Sequence, residues 1–171
     1  YGNTTGSQNF AVGLCSLCGN QTGSGNISIG YASLASAPNP CWAISIGYGA
    51  LQNLACTHNG YGNQTTHTIA IGYGALQNFH GGEGSNYNLA IGYKAGNCLA
   101  RSLYGDSNIA IGVCSMGLSG VAAVQPQCNI GIGYGSMKCT GGYDNVAIGR
   151  CTMSGNYGSA VFQNVAIGKW A

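Results

Sequence analysis

Charge is nearly missing from this chain: five Lys and Arg and three Asp and Glu over 171 residues, for a formal net charge of +2. Binding along nucleic acid requires clustered basic side chains that neutralise phosphates, so this composition excludes nucleic acid as a partner. No run approaches the ~20 consecutive apolar residues of a membrane-spanning helix, which excludes membrane insertion of that kind. Acids are too few for paired-carboxylate catalysis, because Glu83, Asp106 and Asp144 stand in three different inter-repeat loops. His58, His67 and His80 flank the fourth repeat, and with Glu83 they are the one conceivable metal constellation, unsupported by any further ligand spacing. The expectation is a protein that is not an enzyme and carries no cofactor or metal. An i, i+3, i+4, i+7 apolar stripe is also missing, so helix content is expected to be essentially nil.

What is present in quantity is glycine, with 31 residues, and tyrosine, with 11. Low charge with abundant glycine often marks disorder, but the hydrophobic fraction is 45% and regularly patterned. The block Asn-Val-Ala-Ile-Gly at 145–149 recurs at 164–168, and relatives run back to Asn9-Phe10-Ala11-Val12-Gly13. The motif glycines are Gly13, Gly30, Gly47, Gly72, Gly92, Gly112, Gly133, Gly149 and Gly168, spaced by 17, 17, 25, 20, 20, 21, 16 and 19 residues. A rigid unit joined by loops of varying length is the signature of stacked coils. We therefore read residues 1–171 as a single all-β repeat domain, a parallel β-solenoid (β-roll or β-helix) of about nine coils.

Each column of the repeat has a physical meaning. Two residues before the motif glycine stands Ala, Ser or Gly without exception, flanked by apolar and mostly β-branched residues such as Ile27 and Ile29 or Ile69 and Ile71. Period-two alternation of this kind is a strand. Its large residues are expected to enter a core, and its small face to lie close against a neighbouring wall or a partner chain. Four before the glycine, Asn recurs as Asn9, Asn26, Asn88, Asn108, Asn129, Asn145 and Asn164. Stacked amides of this kind hydrogen-bond along a column and satisfy turn backbone groups. The glycine supplies the corner, where positive φ is free of steric cost. After it, a small residue at the third place and Leu or Met at the fourth predict a second short wall.

Nine cysteines point to an oxidising, extracellular compartment. Cys15-Ser16-Leu17-Cys18 reads as a structural C-x-x-C, since neither a helix start nor a second ligand pair accompanies it. Cys98 and Cys114, and likewise Cys139 and Cys151, stand six residues after one motif glycine and two after the next, which predicts two equivalent inter-coil disulfides. Tyr31, Tyr48, Tyr73, Tyr93 and Tyr134 follow their motif glycines directly and should align as a stacking column, with a carbohydrate-binding ribbon as the functional alternative. The sequons at Asn3, Asn20 and Asn63 are candidate glycosylation sites, whereas the sequon at Asn26 belongs to the Asn column.

Units such as Ile69-Ala70-Ile71-Gly72-Tyr73-Gly74-Ala75-Leu76 resemble the Asn-x-Ala-Ile-Gly-x-x-Ala-Leu repeats of phage and viral tail-fibre-like proteins. They are similar, more distantly, to the head repeats of trimeric autotransporter adhesins. The resemblance covers essentially the whole chain and implies a left-handed parallel β-roll or β-helix, commonly trimeric, on a surface fibre that touches a host or neighbouring cell. The functional expectation is a structural extracellular or virion-surface fibre, a stiff uncharged rod whose partner is itself, as a trimer or a head-to-tail filament. Joining the three residues after Gly168 to the thirteen ending at Gly13 gives a spacing inside the observed range, as expected of head-to-tail stacking or of one part of a longer fibre. The alternative is a receptor- or glycan-binding adhesin whose loops 52–67 and 77–87 make contact through His58, Tyr61, Phe79 and His80.

Overall fold

The computed structural model describes residues 2–54, 67–79, 87–97, 106–117, 126–155 and 160–171. Every motif block forms one three-residue strand: β1 (Phe10–Val12), β2 (Ile27–Ile29), β3 (Ile44–Ile46), β4 (Ile69–Ile71), β5 (Leu89–Ile91), β6 (Ile109–Ile111), β7 (Ile130–Ile132), β9 (Val146–Ile148) and β11 (Val165–Ile167). These nine strands make one parallel sheet in chain order. The register never slips, and like motif positions pair throughout, as in Ile44 with Ile69, Ser45 with Ala70 and Ile46 with Ile71. Two further strands, β8 (Gly141–Tyr143) and β10 (Ala160–Phe162), pair in parallel between the last coils. No helix occurs among the described residues. The chain is a parallel β-solenoid.

The strands stop after three residues because left-handed backbone brackets them. The motif glycines turn at φ near +130°, from 126° at Gly13 to 133° at Gly149. Non-glycine residues take φ from 47° to 60° five places before that glycine (Gln8, Trp42, Tyr87), two places after it (Ala32, Lys94, Cys114) and four places after it (Leu34, Leu76, Met137). An L-residue held there costs about 1–2 kcal/mol. Hydrogen bonds between coils offset that cost, for the second wall is ladder-bonded as regularly as the sheet. The N–H of Leu34, Leu51, Leu76 and Met137 donates to the carbonyl of Ala50, Ala75, Ala95 and Thr152 of the following coil, at 2.8–3.0 Å.

The two faces of the sheet are the reverse of the expectation. The small residues point inward, and Ala70, Ala90, Ala110 and Ala147 are fully buried. The large β-branched residues point outward and stay half-exposed, with Ile27 at 37% and Ile91 at 36% accessible. The reason is the thinness of the coil. Leu17, Leu34, Leu51, Leu76, Met116 and Met137 from the second wall, with Leu54 and Phe79, already fill the interior. A Cβ on Gly131 would stand only 2.7 Å from Met116 Cγ, so the facing strand has room for nothing large. The small face therefore meets the chain's own opposite wall and not a partner chain.

Two polar columns run through this interior, and their side chains bond to one another and to backbone, as buried polar atoms require. In the Asn column, the backbone N–H and Nδ2 of Asn129 both donate to Asn108 Oδ1 (3.1 and 3.2 Å), and those of Asn145 both donate to Asn129 Oδ1 (3.0 and 2.9 Å). The spare amide N–H reaches a carbonyl of the short second sheet, that of Gly142 in β8 from Asn129 and that of Val161 in β10 from Asn145. Ala43 and Thr68 replace Asn in the third and fourth coils. Beside the small column, Ser16, Ser28, Ser33 and Ser45 form a buried hydroxyl chain with Oγ–Oγ distances of 2.8, 3.0 and 2.7 Å.

Candidate functional site

Strand alternation sends four columns to the outside: the residues five, three and one before the motif glycine, and the residue after it. In the third, fourth and fifth coils these read Trp42-Ile44-Ile46-Tyr48, His67-Ile69-Ile71-Tyr73 and Tyr87-Leu89-Ile91-Tyr93. Two aliphatic columns thus run up the sheet between aromatic borders. The Trp42 ring lies over Gly25, where a Cβ would be 2.6 Å from Cε3, and His67 stacks on Tyr87 at 5.1 Å. No charged residue stands in the two central columns of any strand, and in the outer two the only Asp, Lys or Arg side chains, Asp144, Arg150 and Lys169, belong to the last two coils. A contiguous apolar face is unusual on the surface of a monomer.

The tyrosine column stacks as the repeat predicts. Ring centroids are 4.8 Å apart for Tyr31–Tyr48, 5.1 Å for Tyr48–Tyr73 and 5.3 Å for Tyr73–Tyr93, with interplanar angles of 15°, 6° and 14°. The spacing is one strand separation per ring. It is held by backbone bonds on either side, such as Gly74 N–H to Tyr48 O and Lys94 N–H to Tyr73 O. Val113 interrupts the column before Tyr134, which carries the Arg150 guanidinium over its ring at 5.5 Å. Next to it run amide ladders that the sequence reading did not anticipate. Gln77 Nε2 donates to Gln52 Oε1 (2.9 Å) and Asn53 Nδ2 to Asn78 Oδ1 (2.9 Å). Their signal was the recurrence of Gln-Asn five and six places after Gly47 and Gly72.

The cysteine arrangement corrects one expectation. Cys114 and Cys151 are free thiols, so neither the Cys98–Cys114 nor the Cys139–Cys151 bridge forms. Coils stack like position on like position, which leaves places six and two after the glycine in separate columns. Cys139 N–H bonds the Gly117 carbonyl, whereas Cys151 Sγ lies beside Gly135. Among the described residues a bridge joins Cys15 to Cys18 within one coil, with Cα atoms 4.9 Å apart.

Two other site residues also move. Phe79 is fully buried in the core and belongs to no contact surface. It occupies a column seven places after the glycine, with Leu54 and Ala37, which the repeat reading passed over as loop. Asn20, in the same column, is 2% exposed and closes a turn by accepting from Gly23 N–H and donating to Gly23 O, so its amide is not presented to a glycosylating enzyme. Asn3 is on the surface. His58, Tyr61, Asn63, His80 and Cys98 lie outside the described residues. An open concavity of about 530 Å³ on the inner side of β11, lined by Met153, Val161, Asn164 and Trp170, continues the core column. Among the described residues no cluster of three or more His, Cys, Asp or Glu is placed to hold a metal ion. Compared with family models, with curated proteins and with solved structures, the chain finds no match.

Proposed function

We propose that this chain is a structural segment of an extracellular or virion-surface fibre, whose copies pack together through the outer face of the nine-stranded sheet. The observation that carries the reading is the pair of uninterrupted apolar columns on that face, aliphatic at every position but Phe10. At ordinary strand dimensions a three-residue strand is about 10 Å long and nine of them stack to about 40 Å, so the strip covers roughly 400 Å², about half of one partner's share of a standard protein interface. Burying it removes apolar area from water and gives a thin solenoid a second core outside its own. Low charge, ladder-bonded walls and the repeat's resemblance to tail-fibre repeats support a mechanical role, with end-to-end stacking of coils as the means of lengthening the rod.

The test is light scattering and electron microscopy of the non-reduced protein, beside an Ile46→Asp/Ile71→Asp variant. The expected result is an oligomeric rod for the parent and a folded monomer for the variant, with the same far-ultraviolet dichroism. A parent that is monomeric at high concentration would remove the reading.

A further inference from the structure

The tyrosine and amide ladders run side by side along the solenoid axis, and their chemistry is that of a binding strip. Gly49 and Gly74 bring them together. A Cβ on Gly49 would lie 3.3 Å from both Gln52 Oε1 and Gln77 Nε2, and one on Gly74 would lie 3.3 Å from Gln77 Oε1. The Gln amides thus rest over glycine backbone immediately after Tyr48 and Tyr73. Stacking turns the tyrosine faces toward one another, so a ligand meets ring edges and phenol hydroxyls instead of faces. About half of each tyrosine residue's surface is still accessible. In the Gln ladder one N–H and one lone pair are used between neighbours, and each amide keeps further donor and acceptor capacity. A single cation, Lys94 Nζ, stands 5.3 Å from the Tyr93 ring at one end.

We propose that the Tyr31–Tyr48–Tyr73–Tyr93 and Gln52–Gln77 ladders bind an extended, neutral β-1,4-linked glycan laid along the solenoid axis, one sugar to each coil. Three features select that class. The strip repeats at 4.8–5.3 Å, close to the advance of an extended β-1,4 chain per sugar, whereas an extended peptide advances about 3.3 Å per residue and falls out of step. Its groups both donate and accept, as sugar hydroxyls do. With one cation and no acid among its residues, it makes no call for a charged ligand. The site follows the corner glycine, apart from the aliphatic columns, and does not rest on the assembly proposed above.

The experiment is calorimetric titration of the full chain with cellobiose, cellotetraose and cellohexaose, with maltohexaose as the α-linked comparison. Each sugar from the second to the fourth should tighten binding about 5-fold, the worth of roughly one net hydrogen bond. The gain should stop when the four stacked tyrosines are covered, and maltohexaose should bind far more weakly. Tyr48→Phe/Tyr73→Phe preserves stacking while removing two hydroxyls and should weaken cellohexaose about tenfold at unchanged melting temperature. Gln52→Ala/Gln77→Ala should do the same. Absence of cellohexaose binding, equal affinity for maltohexaose, or an affinity that ignores both double variants would overturn the proposal.

Discussion

The carbonyl oxygen of Gly92 lies 2.5 Å from the point where a Cβ on Gly72 would stand. The same approach recurs along the column, at 2.5 Å from Gly47 to Gly72 O and 2.6 Å from Gly92 to Gly112 O. Glycine is needed here twice over, for φ near +130° and for contact between the backbones of successive coils. Gly72→Ala should therefore cost more than about 3 kcal/mol, because backbone cannot yield as a flexible side chain can. Gly49→Ala is the contrast. Its φ is 60°, its neighbours are movable Gln ends, and Ala32 already occupies the equivalent place with φ 50°. It should cost only about 1 kcal/mol. Thermal unfolding of the two variants checks the difference, and a Gly72→Ala melting temperature within about 2 °C of the parent would contradict the close-approach account.

The Asn column makes a second prediction. Asn129 Oδ1 accepts two bonds from Asn145, and its amide donates to Asn108 and to Gly142 O. Asn129→Ala leaves the buried Asn145 N–H groups and the Gly142 carbonyl without that partner, at a cost of about 3 kcal/mol. Asn129→Thr should cost less, since Thr68 fills the column in the fourth coil and is fully buried there. Denaturant unfolding with an unchanged m-value would read both. Equal losses for Ala and Thr would show that the hydrogen bonds matter less than the space.

These two columns were legible in the sequence because their reasons are local: a corner requires glycine, and a turn with an unpaired backbone requires an amide. Which face of the strand looks inward was not legible. Alternation in Ile69-Ala70-Ile71 defines two faces but not the thickness of the cavity, and thickness is set by Leu51, Leu76 and Phe79 on a wall whose last column looked like loop. The Cys98–Cys114 and Cys139–Cys151 expectation failed through the same missing quantity, the lateral distance between columns. Asn20 looked like a surface sequon because its column, too, was assigned to loop. The tyrosine column was readable, since perfect register converts equal offsets into stacking.

Thiol chemistry supplies a third prediction. Cys128 is exposed and free, whereas Cys139 is 2% accessible. Iodoacetamide should label Cys128 in the folded protein and reach Cys139 only on unfolding, as peptide mass mapping would reveal. Reducing the Cys15–Cys18 bridge releases a loop of four residues, for which chain entropy gives about 2 kcal/mol. The melting temperature should fall by a few degrees while the dichroism of the native state persists. Labelling of Cys139 as fast as Cys128 would contradict the burial of the second wall.

The hydroxyl chain Ser16–Ser28–Ser33–Ser45 yields the last. Each hydroxyl has a backbone alternative to its neighbour: Ser28 Oγ lies 2.9 Å from Ser33 O, and Ser45 Oγ lies 2.8 Å from Ala50 O. Further along the stack the same columns hold Ala50, Ala70, Ala75, Ala90 and Ala95, all fully buried, so the interior accepts methyl groups there. A single Ser33→Ala removes a donor shared by Ser45 Oγ and Ser45 O and should cost about 1 kcal/mol. Replacing all four serines leaves no unmatched hydroxyl and converts the segment to the alanine packing of the middle coils. The quadruple variant should therefore lie within about 1 kcal/mol of the parent, well short of the roughly 4 kcal/mol that four independent losses would give. Denaturant unfolding of the four single variants and the quadruple variant measures the difference. A fully additive loss would mean that these hydroxyls stabilise the first coils one by one, and that the alanine coils draw their stability from their own Leu and Phe packing instead.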